Sequence, residues 1–443
     1  MSDTICALSS GVGAAGVAVV RISGAAAGEA LESVMGRPLP VPRRATLACI
    51  SDPRTGELLD RGLAIWFPAP DSFTGENVGE LHLHGGRSVV AGVLEALVGL
   101  DGVRLAGPGE FTRRAYEHGK LDLTAAEGIA DLVAAETAAQ RRQALRQAGG
   151  TLATLYEGWR DRLVRVLAHL EADIDFSDEE ELPADVWKSA RSEILRMAAE
   201  IARHLDDGHR GERLRNGFRV ALVGAPNTGK SSLLNRLARR EAAIVSATAG
   251  TTRDVIEVDL DLRGYPVTIV DTAGLRSVDD EVEREGVRRA RTQAKEADLR
   301  LVVFDATGCP PTEDPADPDD ANTTLGVLNK VDLQDPGTVE WRGREVVRVS
   351  ALTGRGLDDL VREIAEIAAS ELKAIEAPVL TRVRHREALG ECRGALDRAA
   401  RGADAELVAE DVRLAVRALG RITGRVDVED VLDVIFREFC IGK

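Results

Sequence analysis

The sequence predicts a multidomain protein of the α/β and all-α classes. A doubly wound α/β domain is inserted into a helical domain, and a small α+β domain precedes both. At 443 residues the chain is too long for a single compact core. Its middle part alternates strand and helix patterns. Helical periodicity lies on both sides of that part, which indicates an insertion.

The first domain is predicted over residues 1–118. Short β-like runs broken by Gly and Pro are GVAVVRI, GLAIWF and GELHLHG, and the helix-like stretch RSVVAGVLEALVGL follows the last of them. This pattern is typical of a small α+β domain.

The helical domain is predicted from two segments, 119–215 and 375–443. The first carries an apolar stripe at steps of four and three, formed by Leu155, Trp159, Leu163, Val166 and Leu170. We interpret the stripe as core packing and not as a cofactor site. The second contains ELVAEDVRLAVRALGRI, which is again helical in pattern.

The inserted α/β domain is predicted over residues 216–374. Its strand patterns are FRVALVG, VIEVDLDL, YPVTIVD, LRLVVFDA, TLGVLNK and EVVRVSA. Helices are predicted from Lys230 and over GLDDLVREIAEIAA. The alternation favours a mostly parallel, doubly wound sheet.

Composition narrows the class of protein. The chain is 44% hydrophobic and 29% charged, which is ordinary for a soluble protein. No apolar run approaches the ~20 residues that span a bilayer, and the first residues lack the basic and apolar regions of a signal peptide. Five scattered cysteines argue against a disulfide framework or a zinc cluster. We therefore expect a cytoplasmic protein without a membrane partner.

The net charge of −16 argues against nucleic-acid binding over the whole surface. Local basic stretches occur at 113–120 (RRAYEHGK), 141–147 (RRQALRQ) and 288–293 (RRARTQ). Taken alone, each is more typical of a solvated helix face than of a nucleic-acid contact. Contact through such a patch or through a second protein stays open.

GAPNTGKS at 224–231 matches the phosphate-loop pattern G-x-x-x-x-G-K-[ST] between a predicted strand and a predicted helix. Lys230 is predicted to reach the β- and γ-phosphates, and the Ser231 hydroxyl to bind Mg²⁺. The nucleotide-binding candidates here are Asn227, Thr228, Gly229, Lys230, Ser231 and Ser232.

Two further motifs predict recognition of guanine. NKVD supplies Asn329, Lys330 and Asp332 after an apolar strand. An aspartate there can accept hydrogen bonds from the guanine N1–H and 2-amino groups, a pair that adenine lacks. SAL supplies Ser350, Ala351 and Leu352, whose backbone N–H groups can meet guanine O6.

The switch motifs lie between these. GTTRD at 250–254 makes Thr252 the candidate for a second Mg²⁺ ligand. DTAG supplies Asp271, predicted to hold the metal through water, then Thr272, Ala273 and Gly274, whose amide would contact the γ-phosphate. The five motifs in order predict a Ras-like P-loop GTPase. Leu275 stands where many GTPases have the glutamine that orients water.

Over essentially its full length the chain resembles the MnmE (TrmE) family of tRNA-modification GTPases. The matching segments are SFTGENVGELHLHGG, GKLDLTAAEGIADL, GAPNTGKSSLLN, AGTTRD, DTAGLR and the terminal CIGK. Other GTPases share the middle motifs, but the first domain and the tail make the resemblance specific.

The resemblance implies that K⁺ takes the place of an arginine finger between the β- and γ-phosphates. Its ligands would be Asn227, Ser246, Thr248 and Thr251, with Ala247, Ala249 and Gly250 in the same loop. Ser246 departs from the threonine expected there but keeps a hydroxyl. Glu283 would orient the attacking water, although its spacing alone favours a solvent-facing residue at the start of a helix.

The resemblance also implies a tetrahydrofolate derivative, in its 5,10-methylene or 5-formyl form, in a folate-binding first domain. The matching positions are Arg21, Glu80, Lys120 and Lys443. His82 and His84 alternate on one strand without a third ligand, which is more typical of structural residues than of a metal site. Cys440 suits either a nucleophile or a segment that positions Lys443.

By the same resemblance the protein is a homodimer through the first domain, with G domains that also meet across their switches. It works with the FAD-dependent partner MnmG, in a heterotetramer or larger complex, to add a carboxymethylaminomethyl-type group at C5 of the wobble uridine of certain tRNAs. The alternatives are a regulatory GTPase of the ribosome-assembly type and a stand-alone folate-dependent enzyme with a regulatory G domain.

Overall fold

A computed structural model describes residues 3–175, 185–240, 256–271, 295–308, 323–372, 378–426, 429–437, 439 and 442. The chain divides into two compact units. Unit 1 comprises Met1–Ala130, Gln147–Val164 and Val416–Lys443. Unit 2 comprises Asp131–Arg146 and Arg165–Ala415.

Unit 1 contains a six-stranded sheet covered by two helices. The elements are β1 (Thr4–Leu8), β2 (Ala15–Ser23), α1 (Ala27–Met35), β3 (Thr46–Ser51), β4 (Leu58–Phe67), β5 (Val78–Gly85), α2 (Arg87–Val98) and β6 (Val103–Leu105). The strand order is β3-β4-β5-β2-β1-β6. Only the β1–β6 pair is parallel. Alternating strand residues, among them Val20, Ile22 and Leu81, pack against Leu31 of α1 and Leu97 of α2. All five side chains are buried. The predicted α+β character of this segment is confirmed.

Helices follow this sheet along the chain. They are α3 (Glu110–Glu117), α4 (Leu123–Ala134), α5 (Ala138–Ala148), α6 (Thr151–Asp175), α7 (Asp185–Leu205) and α8 (Arg210–Asn216). The predicted stripe on α6 is largely right, since Trp159, Leu163, Val166 and Leu170 are buried. Leu155 is only half-buried, and Tyr156 is buried instead, because it keeps the 3.6-residue period with Trp159.

Unit 2 contains the inserted sheet. Its elements are β7 (Phe218–Val223), α9 (Lys230–Arg240), β8 (Ile256–Leu262), β9 (Tyr265–Asp271), β10 (Leu299–Asp305), β11 (Thr323–Asn329), β12 (Glu340–Trp341), β13 (Arg344–Glu345), β14 (Val347–Arg348) and α10 (Leu357–Glu371). The order is β14-β11-β10-β7-β9-β8, and only β8–β9 is antiparallel. The doubly wound prediction is confirmed.

The last predicted strand of this sheet, EVVRVSA, was too long. Only Val347–Arg348 pairs with β11, because Arg344–Glu345 pairs with Glu340–Trp341 in a separate small hairpin. The sheet core is apolar and includes Leu222, Leu237, Ile269, Leu301, Val327 and Leu360.

The remaining helices are α11 (Val383–Arg401), α12 (Ala405–Thr423) and α13 (Glu429–Arg437). In unit 2, α7 packs along α11, and Arg386 on α11 donates hydrogen bonds to Leu205 O, Asp207 and Glu212. These contacts join helical segments that lie before and after the sheet in sequence.

In unit 1 the C-terminal segment packs against α3 and the start of α4. The apolar side chains in this cluster are Leu123, Ala126, Leu432, Ile435, Phe436 and Phe439. Tyr116 donates a hydrogen bond to Gly424 O. Within the described ranges, every helix is too short or too polar to cross a bilayer.

Three of the five cysteines fall in the described ranges, and all three are free thiols. Burial raises the pKa of Cys6 to about 11 and that of Cys392 to about 12. Both thiols therefore stay protonated at neutral pH and are inert packing residues.

Candidate functional site

The phosphate loop connects β7 to α9 and closes tightly on its neighbours. Gly224 and Gly229 have φ of 148° and 92°. A Cβ at Gly224 would collide with Val303 O, and one at Gly229 with Asn329 Nδ2. Glycine is therefore required at both positions on conformational and steric grounds. The loop ends at the N-terminus of α9, which carries partial positive charge and favours anions.

Lys230 and Ser231 begin α9 inside this loop. Lys230 is 6% exposed, and its Nζ donates to Gly224 O and Ala225 O at 2.8 Å each. The ammonium is thus held by carbonyl groups of the phosphate loop. Thr228 is buried and donates to Ala225 O. Ser232, on the first turn of α9, is exposed.

The predicted magnesium ligands Ser231 and Asp271 meet. Ser231 Oγ donates to Asp271 Oδ2 at 2.6 Å. Asp271 is the last residue of β9 and is 1% exposed. A hydroxyl beside a carboxylate supplies the hard oxygen ligands that Mg²⁺ prefers, so these residues fit that metal.

Asn329 joins the phosphate side of the site to the base side. Its Nδ2 donates to Thr228 O at 2.8 Å, and its Oδ1 accepts from Ala351 N at 3.0 Å. At 2% exposure, the amide is buried between the two loops. One side chain therefore fixes the distance between the phosphate loop and the loop after β14.

Asp332 presents its carboxylate to solvent on the base side. Its Oδ1 accepts from the buried Ser350 Oγ at 2.5 Å, and its Oδ2 has no hydrogen-bond partner among the described residues. The carboxylate is thus oriented and able to accept from the guanine N–H groups. Leu352 lies in the same loop and is 77% exposed.

Lys330 is held by a carboxylate that the sequence analysis missed. Its Nζ lies 2.6 Å from Asp305 Oδ2. Burial raises the pKa of Asp305, but hydrogen bonds from Lys330 and Thr307 outweigh burial, and the net pKa is lowered. Asp305 therefore stays ionised beside the lysine. The signal was present, because Asp305 and Asn329 end neighbouring parallel strands, where such sites form.

The predicted folate residues Arg21 and Glu80 also meet. They are directly opposite on β2 and β5, and Arg21 NH2 lies 2.9 Å from Glu80 Oε1. The guanidinium also lies 5.4 Å from the Phe73 ring centroid and 5.8 Å from that of Phe111. Glu80 Oε2 is 3.3 Å from His82 Nε2. The aromatic partners were not predicted, because nothing local in the sequence marks them.

The Lys120 side chain lies against the 73–76 segment, which contains Phe73 and Gly75. A Cβ built on Gly75 would lie 3.5 Å from Lys120 Cε, so the lysine side chain passes this segment, as Arg21 does. The C-terminal tail comes to the same sheet, since Ser9 Oγ donates to Gly442 O at 2.8 Å. Ser9 directly follows β1, in which Ala7 pairs with Arg21. His84 instead pairs with Asp60 at 2.8 Å.

Several predicted site residues lie outside the described residues: Ser246, Ala247, Thr248, Ala249, Gly250, Thr251, Thr252, Thr272, Ala273, Gly274, Glu283, Cys440 and Lys443. Their predicted roles therefore remain predictions.

Two family models match the chain. A model described as the MnmE helical domain covers residues 123–440. A model described as the GTP-binding protein TrmE N-terminus covers residues 4–120. The two matches together take in nearly the whole chain.

Curated relatives match over their full lengths. The tRNA modification GTPases MnmE of Paramagnetospirillum magneticum and Parvibaculum lavamentivorans are each 58% identical to this chain, with 100% of both sequences covered. That of Rhodospirillum rubrum is 57% identical over 100% of this chain and 99% of its own. A solved structure of Era from Aquifex aeolicus is 27% identical over 40% of this chain and 66% of that one. The TM-score of that match is 0.28.

Proposed function

This chain belongs to the MnmE family of tRNA modification GTPases, and from that premise we propose a specific activity for it. The protein is a K⁺-dependent GTPase that, with the FAD-dependent partner MnmG, adds a carboxymethylaminomethyl-type group at C5 of the wobble uridine of certain tRNAs. A tetrahydrofolate derivative supplies the carbon. GTP hydrolysis drives a cycle of G-domain association.

The observation that carries the nucleotide part is the Asn329 junction. Asn329 donates to Thr228 O and accepts from Ala351 N, so the loops that take phosphate and base are held by one buried amide. Asp332 adds the carboxylate that suits guanine. This pre-formed geometry supports GTP over ATP, because an adenine would leave that carboxylate without its donors.

In the proposed mechanism, Lys230 exchanges its two loop carbonyls for phosphate oxygens and neutralises their charge. Ser231 and Asp271 would hold Mg²⁺, which when bound neutralises charge on the β- and γ-phosphates. Lys330 stays over the base because Asp305 holds its ammonium. Glu283 orients the attacking water, a role that Leu275 has no polar group to perform.

Of the four proposed K⁺ ligands, Asn227 is the one that lies among the described residues. It is exposed at the phosphate loop with φ of 63°, and its side chain has no hydrogen-bond partner among the described residues. A neutral amide oxygen suits K⁺. Ser246, Thr248 and Thr251 would complete the cage, with Thr252 on Mg²⁺.

The folate part is supported by the Arg21–Glu80 pair on the first sheet. A carboxylate can bind the amino-pyrimidine edge of a pterin, and cations can bind its carbonyl oxygen or glutamate tail. Lys120 lies against the neighbouring 73–76 segment. Gly442 at the end of β1 supports a tail that delivers Lys443 to this sheet, with Cys440 as part of the same tail.

We further propose the domain division 1–118, 119–215 with 375–443, and 216–374. The contacts of Arg386 and the packing of α7 on α11 support a single helical domain built from two segments. The proposed protein is cytoplasmic and forms a homodimer. With MnmG it assembles into a heterotetramer or a larger complex. A ribosome-assembly GTPase would not account for the TrmE N-terminus match over 4–120.

Steady-state GTP turnover at fixed ionic strength in K⁺, Na⁺ and Rb⁺ tests the proposal. We expect turnover several-fold faster in K⁺ than in Na⁺, and loss of that difference in Asn227→Ala. Glu283→Ala should bind GTP normally but turn it over about 10²-fold more slowly or worse, the usual cost of losing such a group. Glu366→Ala, an exposed glutamate of α10, is the matched control and should behave as the wild type. Equal wild-type rates in K⁺ and Na⁺ would overturn the cation cage.

A further inference from the structure

We propose that unit 2 carries an RNA-docking surface at the groove between α5 and the β8–β9 hairpin, called here the α5 groove. The surface consists of Arg142, Leu145 and Tyr265, which line the groove, together with Arg141 of α5 and Arg263 of the hairpin turn. The inference rests on the proposed function, since it takes the tRNA substrate as the ligand and assigns it a place on the protein.

The hairpin is fixed against the start of α5. Ala139 N donates to Gly264 O at 3.0 Å, and a Cβ built on Gly264 would lie 3.6 Å from Ala138 Cβ. The resulting groove has a volume of about 280 Å³, and its lining includes Arg142, Leu145, Arg146, Leu214, Tyr265 and Leu372. It is smaller than a typical cofactor site of about 300–1,000 Å³ and suits a single base or ribose.

Three exposed arginines make up the charged part of this surface. Arg141, Arg142 and Arg263 are exposed, and no described residue forms an ion pair or hydrogen bond with their side chains. Asp261, close to Arg263 in sequence, instead accepts from Gly264 N.

Some other arginines of the same unit are neutralised locally. Arg215 pairs with Asp131 at 3.0 Å, and Arg219 pairs with Glu257 at 3.0 Å. Arg141, Arg142 and Arg263 are instead left as exposed positive charges on the two elements joined by the Ala139–Gly264 contact, in a chain of net charge −16. Phosphate groups of a nucleic acid can pair with such charges.

The apolar part of the groove favours RNA over an acidic protein helix. Leu145 is 52% exposed and is the only large apolar side chain of α5 that is exposed. A partner helix would need a longer apolar seam. Tyr265 is half-buried and lines the groove together with Arg142, and unpaired bases stack on aromatic and guanidinium groups of this kind.

The test is binding of unmodified tRNA to the full-length protein at two or more salt concentrations. The groove variant is Arg141→Glu with Arg142→Glu and Arg263→Glu. The matched control reverses three exposed arginines of the same unit that lack ion pairs, Arg165→Glu with Arg191→Glu and Arg344→Glu. Both make the same change in net charge, and GTP turnover without tRNA reports that each variant is folded.

We expect the groove variant to bind tRNA at least 10-fold more weakly, and the control to change less than 3-fold. The slope of log K against log salt should fall by about 2 to 3 in the groove variant, near 0.7–0.9 for each lost phosphate contact. Equal weakening in both variants would reduce the effect to net charge and overturn the proposal.

Three other outcomes would also overturn the proposed docking surface. Unchanged tRNA binding by the groove variant would overturn the docking surface and leave the proposed function intact. Loss of MnmG association with tRNA binding intact would make the groove a protein site and also overturn the proposal. A wild-type protein that binds no tRNA would contradict both the surface and the tRNA part of the proposed function.

Discussion

The two sheets of this molecule carry their candidate sites in different ways. In unit 2, Asp271, Asp305 and Asn329 are the last residues of three parallel strands, and the site is made by the loops that follow. In unit 1, Arg21 and Glu80 lie in mid-strand and meet across an antiparallel pair. One site depends on local loop geometry, and the other on strand register.

The largest effect should come from Asp332, on the loop side of this comparison. Asp332→Asn replaces an acceptor with an amide that matches xanthine better than guanine. We expect GTP affinity to fall by about 10³-fold or more and xanthosine triphosphate binding to rise. Asp335→Asn is the control, because Asp335 instead pairs with Arg348 and Arg355. Similar GTP affinity in both variants would remove Asp332 from base recognition.

A second prediction concerns the ion pairs that join the two chain segments flanking the inserted sheet of unit 2. Asp131 Oδ1 accepts from Arg215 at 3.0 Å and from Arg382 at 2.7 Å, and these arginines lie on either side of the inserted sheet in sequence. Asp131→Ala should lower the local opening free energy near both arginines by about 2–3 kcal/mol, because each loses a partly buried carboxylate.

Hydrogen exchange at residues 210–216 and 382–390 measures that opening. Asp206→Ala, an exposed aspartate of the same unit, should change it by less than about 0.5 kcal/mol. Equal protection in both variants would mean that Asp131 does not hold the segments around Arg215 and Arg382 in place.

In the sheet of unit 1, Arg21→Ala should weaken binding of a tetrahydrofolate derivative by about 10-fold. This is the affinity that one hydrogen bond to a charged group contributes. GTP turnover should stay at the wild-type rate. Arg61→Ala, on β4 of the same sheet, is exposed and serves as the control for folding. If Arg61→Ala weakens folate binding as much as Arg21→Ala, then Arg21 has no special role.

The smallest predicted effect is a difference between the two units in how their stability depends on pH. Burial lowers the pKa of His204 to about 4; the positive charge of Arg386 lowers it further, and only Asp207 raises it. Since the folded pKa lies below the unfolded value, stability is complete above about pH 6.5 and falls as pH drops toward 4, by about 1 kcal/mol at pH 5.5. In unit 1, the Arg104 hydrogen bond lowers the pKa of Asp3, so that pair weakens only at lower pH.

Hydrogen exchange corrected for its intrinsic pH dependence, at pH 7.0 and 5.5, checks this difference. The C-terminal end of α7 should open more readily at pH 5.5, while β1 stays protected. His204→Gln should remove the pH dependence in α7. Opening of β1 to the same extent would show that the acid response is not local.

The comparison also explains what the sequence could predict. The mostly parallel, doubly wound sheet of unit 2 follows from its strand and helix patterns, and the candidate roles of Lys230, Ser231 and Asp332 follow from contiguous motifs. The structure places Ser231 against Asp271 and joins the phosphate loop to the 350–352 loop through Asn329. Arg21 and Glu80 lie far apart in sequence, so only a family resemblance indicated that they act together. Phe73 and the Arg263 contribution to the α5 groove depend on strand pairing and hairpin placement, which no local pattern encodes.

The most direct test is nucleoside mass spectrometry of unmodified tRNA incubated with this protein, MnmG, GTP, Mg²⁺, K⁺ and a tetrahydrofolate derivative. We predict a carboxymethylaminomethyl-type group at C5 of the wobble uridine. It should be absent when this protein is omitted or replaced by Asp332→Asn. An unmodified wobble uridine in the full reaction, while GTP is hydrolysed, would contradict the proposed function.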